Sequence, residues 1–171
     1  LPIEAAADKY IANRTENLDH HAVMPGLINS RADGAARLFR GHDAGSESPA
    51  NDSLLTDQGF IAASTELAIA EMLKTGTTCY ADKQHANNSL IESVQLSGIR
   101  SQLNFALYEK PTNFGSDVSD YLHQGLKLRD YCSSYPLIEI ACNLNNINQL
   151  TDSTLERLAS YVNELELTLH I

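Results

Sequence analysis

The feature that most constrains this chain is the regular alternation of short apolar runs and amphipathic stretches after residue 56. The predicted strands are 77–81, 99–107, 137–144 and 167–171, and the predicted helices are 56–74, 87–96, 117–131 and one starting at 151 or 153. Strands alternating with helices form right-handed βαβ units and a parallel sheet. The repeat of about 30 to 35 residues suits either a doubly wound sheet or a barrel. No G-x-G-x-x-G or P-loop motif follows a strand, which disfavours the phosphate-binding versions.

Composition narrows the class of protein. A chain of 171 residues with 43% hydrophobic content forms one core, so we expect a single domain. The net charge of −10 argues against a nucleic-acid binder and a polybasic membrane-surface protein. The apolar stretches are too short and interrupted to cross a bilayer. The chain has three cysteines at irregular positions, Cys79, Cys132 and Cys142, which do not form a disulfide framework. Such a pattern is typical of a reducing compartment, so we expect a cytoplasmic protein.

Five short segments resemble, in the same order, segments of the metal-dependent amidohydrolase superfamily. They are V-M-P-G-L-I-N at 23–29, L-F-R-G at 38–41, A-E-M-L-K-T-G-T-T at 70–78, S-G-I-R at 97–100, and the run at 165–171. The branch they resemble contains chlorohydrolases and methylthioadenosine and S-adenosylhomocysteine deaminases. The resemblance implies an α/β fold, a partial (β/α)8 TIM-like barrel of about five parallel strands over 26–171. It also implies a remnant of a β-sandwich domain over 1–25.

The resemblance further implies a divalent metal, usually zinc, which lowers the pKa of a bound water. Two ligands in that family are the histidines of an H-x-H segment after strand one, and here those positions are Arg31 and Asp33. Arginine cannot ligate a cation, because its guanidinium stays protonated and has no acceptor. Asn143 stands where the family has a substrate-contacting histidine, and is our candidate for substrate binding. We therefore expect a degenerate active site, with no catalytic residue and no cofactor in this chain.

Four other side chains are candidate metal ligands if the chain is an enzyme after all. They are Asp33, Asp82, His85 and His170. Two registers are open for His170: in one it matches the first histidine of the family's P-I-H-I-H run, so that the ligand follows Ile171, and in the other it is the ligand. Arg31 is expected at the end of the first barrel strand, in an ion pair with Asp33 or Asp82.

Three functions remain open. The leading one is an amidohydrolase-like domain that has lost the H-x-H ligands and does not catalyse as this chain. The enzyme alternative is a zinc- or other metal-dependent hydrolase or deaminase acting on C–N bonds of a purine-like or triazine-like ring. The third is a non-catalytic assembly subunit that pairs with an active homologue.

The two ends of the sequence suggest a piece of a longer protein. The chain begins at Leu1 and stops at Ile171 within an apolar run, so we expect it to be truncated. Half a barrel leaves two strand edges open. We therefore expect either a homo-oligomer or association with the missing barrel half, and neither nucleic acid nor a membrane as a partner.

Overall fold

The computed structural model describes residues 9–41, 57–108, 111–112, 114–144 and 147–171. In that part of the chain, five strands alternate with four α-helices. The strands are β1 (Leu27–Ala32), β2 (Thr77–His85), β3 (Arg100–Ala106), β4 (Ile138–Asn143) and β5 (Leu169–His170). The helices are α1 (Gln58–Lys74), α2 (Asn88–Ser97), α3 (Val118–Cys132) and α4 (Asp152–Leu165). Short 3-10 helices occupy Arg37–Phe39 and Ile147–Gln149.

All the strands are parallel, and their order in the sheet is their order in the chain. Each strand therefore lies beside the next, as in an arc of a barrel. This confirms the predicted partial TIM-like barrel of five parallel strands.

The helices begin where the sequence places hydrogen-bonding caps. The side chains of Asp57, Asn87, Asp117 and Thr151 each accept a hydrogen bond from a backbone N–H of the first turn that follows. Such a bond satisfies one of the N–H groups that a helix leaves without a partner at its start. The helix bounds accordingly agree with the sequence prediction to within two residues.

The two faces of the sheet differ in polarity. On β3, Leu103 and Phe105 are fully buried and face the helices, with Phe105 directly under Gly125 of α3. Because side chains alternate along a strand, Gln102 and Asn104 point to the opposite, inner face. The hydrophobic core thus lies between sheet and helices, while the inner face of the half-barrel carries polar groups.

The segment before β1 is the least regular of the described parts. Residues 9–26 form neither helix nor strand and are exposed. Residues 22–29 are apolar around Pro25-Gly26, a pattern that predicts a strand on each side of this turn, and only the later one forms, as β1. The assignment of residues 1–25 to a β-sandwich remnant stays a prediction. Among the described residues, no helix is both long and apolar enough to cross a membrane.

Packing of α3 on the sheet gives a first prediction. A Cβ on Gly125 would lie 2.6 Å from the ring of Phe105. We expect Gly125→Ala to lower the free energy of unfolding by about 1–3 kcal/mol, since a buried ring must shift. Lys127→Ala, on the exposed side of the same helix, should change it by less than about 0.5 kcal/mol. Urea unfolding of both variants checks this, and equal stabilities would contradict the described packing.

Candidate functional site

The carboxyl ends of the strands form a cleft of about 250 Å³, which we call the mouth cleft. Barrel enzymes place their functional side chains at this end of the sheet. The polar side chains in its lining come from all five strands or the residues that directly follow them: Ser30, Arg31, Asp82, Lys83, Asn104, Asn143 and His170.

An ion pair joins the ends of β1 and β2 at this cleft. The Lys83 ammonium lies 2.7 Å from a carboxylate oxygen of Asp33, and both side chains are about half exposed, at 45% and 38%. Asp33 was a candidate metal ligand from the sequence, but Lys83 was not expected as its partner. An oxygen of the candidate ligand Asp33 is therefore already engaged by a cation.

The predicted ion pair of Arg31 with Asp33 or Asp82 is wrong. Arg31 is exposed, and within the described ranges no carboxylate lies within 4.0 Å of its guanidinium. The pairing of β1 with β2 is irregular between Asn29 and Ala32, and the Arg31 backbone N–H donates to the Asn29 side chain at 3.2 Å. Strict alternation along the strand, on which the prediction relied, fails at this irregularity.

Asp82 is fully buried behind the mouth cleft. One carboxylate oxygen accepts the N–H of Gln84 at 3.0 Å and the other accepts the N–H of Gly34 at 3.3 Å. Burial raises the pKa of Asp82 to about 6, and the two N–H donors oppose that rise. Both oxygens thus hold backbone groups, a structural arrangement rather than a free ligand position.

His85 lines a different cavity from the one that Lys83 lines. Its Nδ1 accepts the backbone N–H of Ala106 at 3.2 Å, and its ring lies 3.6 Å from that of Phe114, centroid to centroid. Burial lowers the pKa of His85 to about 4, so the imidazole is neutral at pH 7. The structure therefore does not bring His85 together with Asp33 and His170.

His170 reaches across the inner face of the sheet. Its Nε2 donates to Oε1 of Gln102 at 2.5 Å, over the strand β4 that separates them. Because the carbonyl oxygen of Gln102 can only accept, Nε2 carries the proton in the neutral ring and Nδ1 keeps the lone pair. Gln102 was not expected from the sequence, although the polar alternation of Arg100, Gln102 and Asn104 along β3 was a signal for it.

Asn143 lies near the end of β4 and is mostly buried. Its side-chain amide donates to the backbone carbonyl of Lys83 at 3.3 Å, which links β4 to β2 over the end of β3. The candidate substrate-binding residue thus does lie in the mouth cleft.

The donors among the described residues do not form a zinc site by themselves. No group of three or more His, Cys, Asp or Glu side chains within the described ranges could hold a metal ion. A protein zinc site needs at least three such ligands. Of the four candidates, Asp33 is paired with Lys83, Asp82 holds backbone N–H groups, and His85 faces another cavity.

Comparison with known proteins places this fold. No family model matches the chain. A 5-methylthioadenosine/S-adenosylhomocysteine deaminase of Teredinibacter turnerae is 33% identical over 179 residues, covering 100% of this chain and 40% of that protein. One from Saccharophagus degradans is 34% identical over 165 residues, covering 91% of this chain and 36% of the relative.

Solved structures of deaminases share this fold, in agreement with the sequence comparison. An adenosine deaminase from Xanthomonas campestris with bound zinc superposes with a TM-score of 0.73 at 26% identity, covering 86% of this chain and 35% of its own. The chain belongs to the amidohydrolase superfamily, in its deaminase-like branch. A guanine deaminase from C. acetobutylicum shares the fold, with a TM-score of 0.68 at 14% identity over 85% of this chain and 38% of its own. This amidohydrolase-family chain is partial, since it spans about two fifths of the curated relatives it matches.

The buried imidazole gives a prediction on pH. The pKa of His85 is lowered in the fold, so its contribution to stability is present above its ordinary value of about 6.5 and is lost as pH falls towards 4. That loss amounts to about 3 kcal/mol at most. In His85→Asn the amide oxygen replaces Nδ1 as acceptor and does not titrate, so we expect a smaller loss of stability between pH 7 and 4.

Urea unfolding at several pH values checks this. The comparison with wild type cancels the contribution of Asp82, whose raised pKa makes acid stabilising between about 6 and 4. His123→Asn removes an exposed histidine and serves as the control. Parallel stability curves for wild type and His85→Asn would show that the imidazole is not buried as described.

Proposed function

We propose that this chain is part of an amidohydrolase-type barrel in which side-chain cations stand where the family has its metal, and that it does not catalyse by itself. The observation that carries the proposal is the contact between the Lys83 ammonium and the Asp33 carboxylate at 2.7 Å. Asp33 is one of the two positions that the resemblance assigns to metal-ligating histidines, and Arg31 is the other.

Electrostatics supports the same conclusion. Zinc at Asp33 would have to displace the Lys83 ammonium, and it would lie beside a cleft that two side-chain cations, Lys83 and Arg31, line. Unit charges about 4 Å apart repel by about 4 kcal/mol near a protein surface. His170 with its Nδ1 lone pair is the remaining ligand candidate in the cleft. One histidine beside two cations makes a poor site.

The two edge strands of the sheet, β1 and β5, indicate what kind of partner would bind this chain. β1 and β5 each have one strand neighbour in the described structure, and Leu27 and Ile28 of β1 are more than half exposed. The matching relatives contain more than twice this length of chain. The proposed partner is therefore the rest of such a barrel or a second copy of this chain, which would cover these edges.

A second candidate is favoured by the names of the relatives. Several relatives are called 5-methylthioadenosine/S-adenosylhomocysteine deaminase, which suggests hydrolysis of a C–N bond on a purine-like ring. Under this candidate Asp33 and His170 would contribute ligands, with others supplied by protein outside this chain, and Asn143 would contact the substrate.

Metal content and activity separate the two candidates. After dialysis against zinc and then against zinc-free buffer, we expect well below one zinc per chain by elemental analysis. We also expect no ammonia release from methylthioadenosine or S-adenosylhomocysteine, because the ligand set is incomplete. One tightly held zinc per chain, lost in Asp33→Asn, would favour the metal-dependent hydrolase.

A double substitution tests whether the mouth cleft contains further metal-ligating side chains. Arg31→His/Asp33→His restores the H-x-H spacing, and Arg14→His/Glu16→His installs the same spacing in an exposed segment as the matched control. We expect the zinc affinities of the two double variants to agree within about tenfold, and neither to deaminate. An affinity more than about a hundredfold higher for the mouth variant would reveal additional ligands there and contradict the proposal.

A further inference from the structure

A second cavity, which we call the His85 cavity, lies at the ends of β2 and β3 and has a volume of about 550 Å³. That volume is typical of small-molecule sites, whereas the mouth cleft, at about 250 Å³, is smaller than most of them. The described residues that line the His85 cavity come from β2, β3, the three helices α1 to α3 and the segment between β3 and α3. None of them lines the mouth cleft.

The lining of the His85 cavity combines apolar and uncharged polar side chains. Ile61, Leu128 and the rings of Tyr108 and Phe114 supply apolar surface, and no Asp, Glu, Lys or Arg is among the described residues of the lining. Burial alone lowers the pKa of His85, with no contribution from a neighbouring charge. An ionic ligand would lose its hydration here without gaining a counter-ion from these residues, so the lining favours a neutral molecule.

One edge of the His85 imidazole is available to such a ligand. Nδ1 accepts the backbone N–H of Ala106, so Nε2 carries the proton of the neutral ring. Nε2 has no hydrogen-bond partner among the described residues, and it is not one of the unpartnered side-chain atoms that the fold seals from solvent. The side-chain amides of Gln84 and Asn88, in the same lining, also have no partner among the described residues. The cavity therefore offers an N–H donor together with amides that can donate and accept.

We propose that the His85 cavity binds a neutral aromatic carboxamide, whose carbonyl oxygen accepts the Nε2–H of His85. The carboxamide N–H donates to the side-chain oxygen of Gln84 or Asn88, so one ligand group serves both kinds of hydrogen bond. The aromatic ring packs against Tyr108 and Phe114, as apolar ligand surface does in such sites. This site goes beyond the proposed function and does not depend on it, because no residue of the mouth cleft takes part.

Benzamide is the probe, and three analogues of similar size separate charge from aromaticity. Benzoate carries a negative charge in place of the amide, benzamidine carries a positive charge, and cyclohexanecarboxamide lacks the aromatic ring. The readout is an NMR titration of the zinc-free chain, followed at the backbone amides of residues 84–88 and 106–108. We expect a saturable shift with benzamide at a dissociation constant of about 1 mM, and binding at least about fivefold weaker for each analogue.

Substitutions of His85 test the hydrogen bond. His85→Asn keeps an acceptor for the Ala106 N–H and removes the Nε2–H, so benzamide should bind about fivefold more weakly. In His85→Gln the longer side chain brings an amide N–H near the position of Nε2, so binding should recover to within about twofold of wild type. His123→Asn, on the exposed side of α3, is the matched control and should bind like wild type.

A dispersed amide spectrum shows that each variant is folded, and the four probes decide the question on the wild-type chain even if a variant is not. The inference is overturned if benzamide gives no saturable shift or if any of the three analogues binds as tightly as benzamide. It is also overturned if folded His85→Asn binds benzamide like His123→Asn, or if folded His85→Gln binds it no more tightly than His85→Asn.

Zinc content, measured on the same samples, keeps this inference apart from the proposed function. Tight zinc at Asp33 contradicts the proposed function, whatever benzamide does. Absence of benzamide binding in the folded, zinc-free chain contradicts the ligand assigned to the His85 cavity alone.

Discussion

The buried carboxylate of Asp82 is the constraint on which the geometry of the mouth depends. The Asp82 carboxylate accepts the backbone N–H of Gly34, and the backbone carbonyl of Asp82 accepts the side-chain amide of Asn104. These two hydrogen bonds connect the carboxyl ends of β1, β2 and β3. The approach is close: a Cβ on Gly34 would lie 2.6 Å from the carboxylate oxygen. Asp33 precedes Gly34 and Lys83 follows Asp82. The hydrogen bond between Gly34 and Asp82 therefore brings Asp33 and Lys83 close to each other. The ion pair at the mouth cleft thus follows from the buried hydrogen bond between Gly34 and Asp82.

A second set of polar contacts anchors the segment that follows β1. The hydroxyl of Ser64 on α1 donates to the carbonyl of Gly34 at 2.8 Å and accepts the N–H of Leu38 at 3.0 Å. Arg40 and Arg37 both bind the carboxylate of Glu71, and the hydrogen bond from Arg40 is the main cause of its lowered pKa. Two of the motifs that carry the family resemblance, at 38–41 and 70–78, therefore meet in space. Neither motif contributes a side chain to the polar lining of the mouth cleft.

Much of the fold could be predicted from the sequence, because caps and periodicity are local. Asp57, Asn87 and Asp117 are recognisable N-caps, and the apolar runs between helices gave four of the five strands, although β5 is shorter than expected. Before residue 56 the periodicity was weak, and only one of the two strands expected near Pro25 forms in the described residues.

The candidate site was less predictable, because its contacts join residues far apart in sequence. The family resemblance indicated Asn143 and His170 as candidate site residues, but strand position could not show that Gln102 holds His170 across β4. It also assigned Asp33 to the wrong cation, because an irregularity in one strand changes which side chains share a face. Asp33 does have a side-chain cation as its partner, but that this cation is Lys83 depends on tertiary contacts.

The central claim is that a side-chain cation occupies the place of the metal. The most direct test is a crystal structure grown with excess zinc, with anomalous diffraction recorded at the zinc absorption edge. The account predicts that Lys83 and Asp33 stay in contact and that no anomalous peak lies within about 2.2 Å of the Asp33 carboxylate. A zinc peak bonded to Asp33 and His170, with Lys83 displaced, would contradict it.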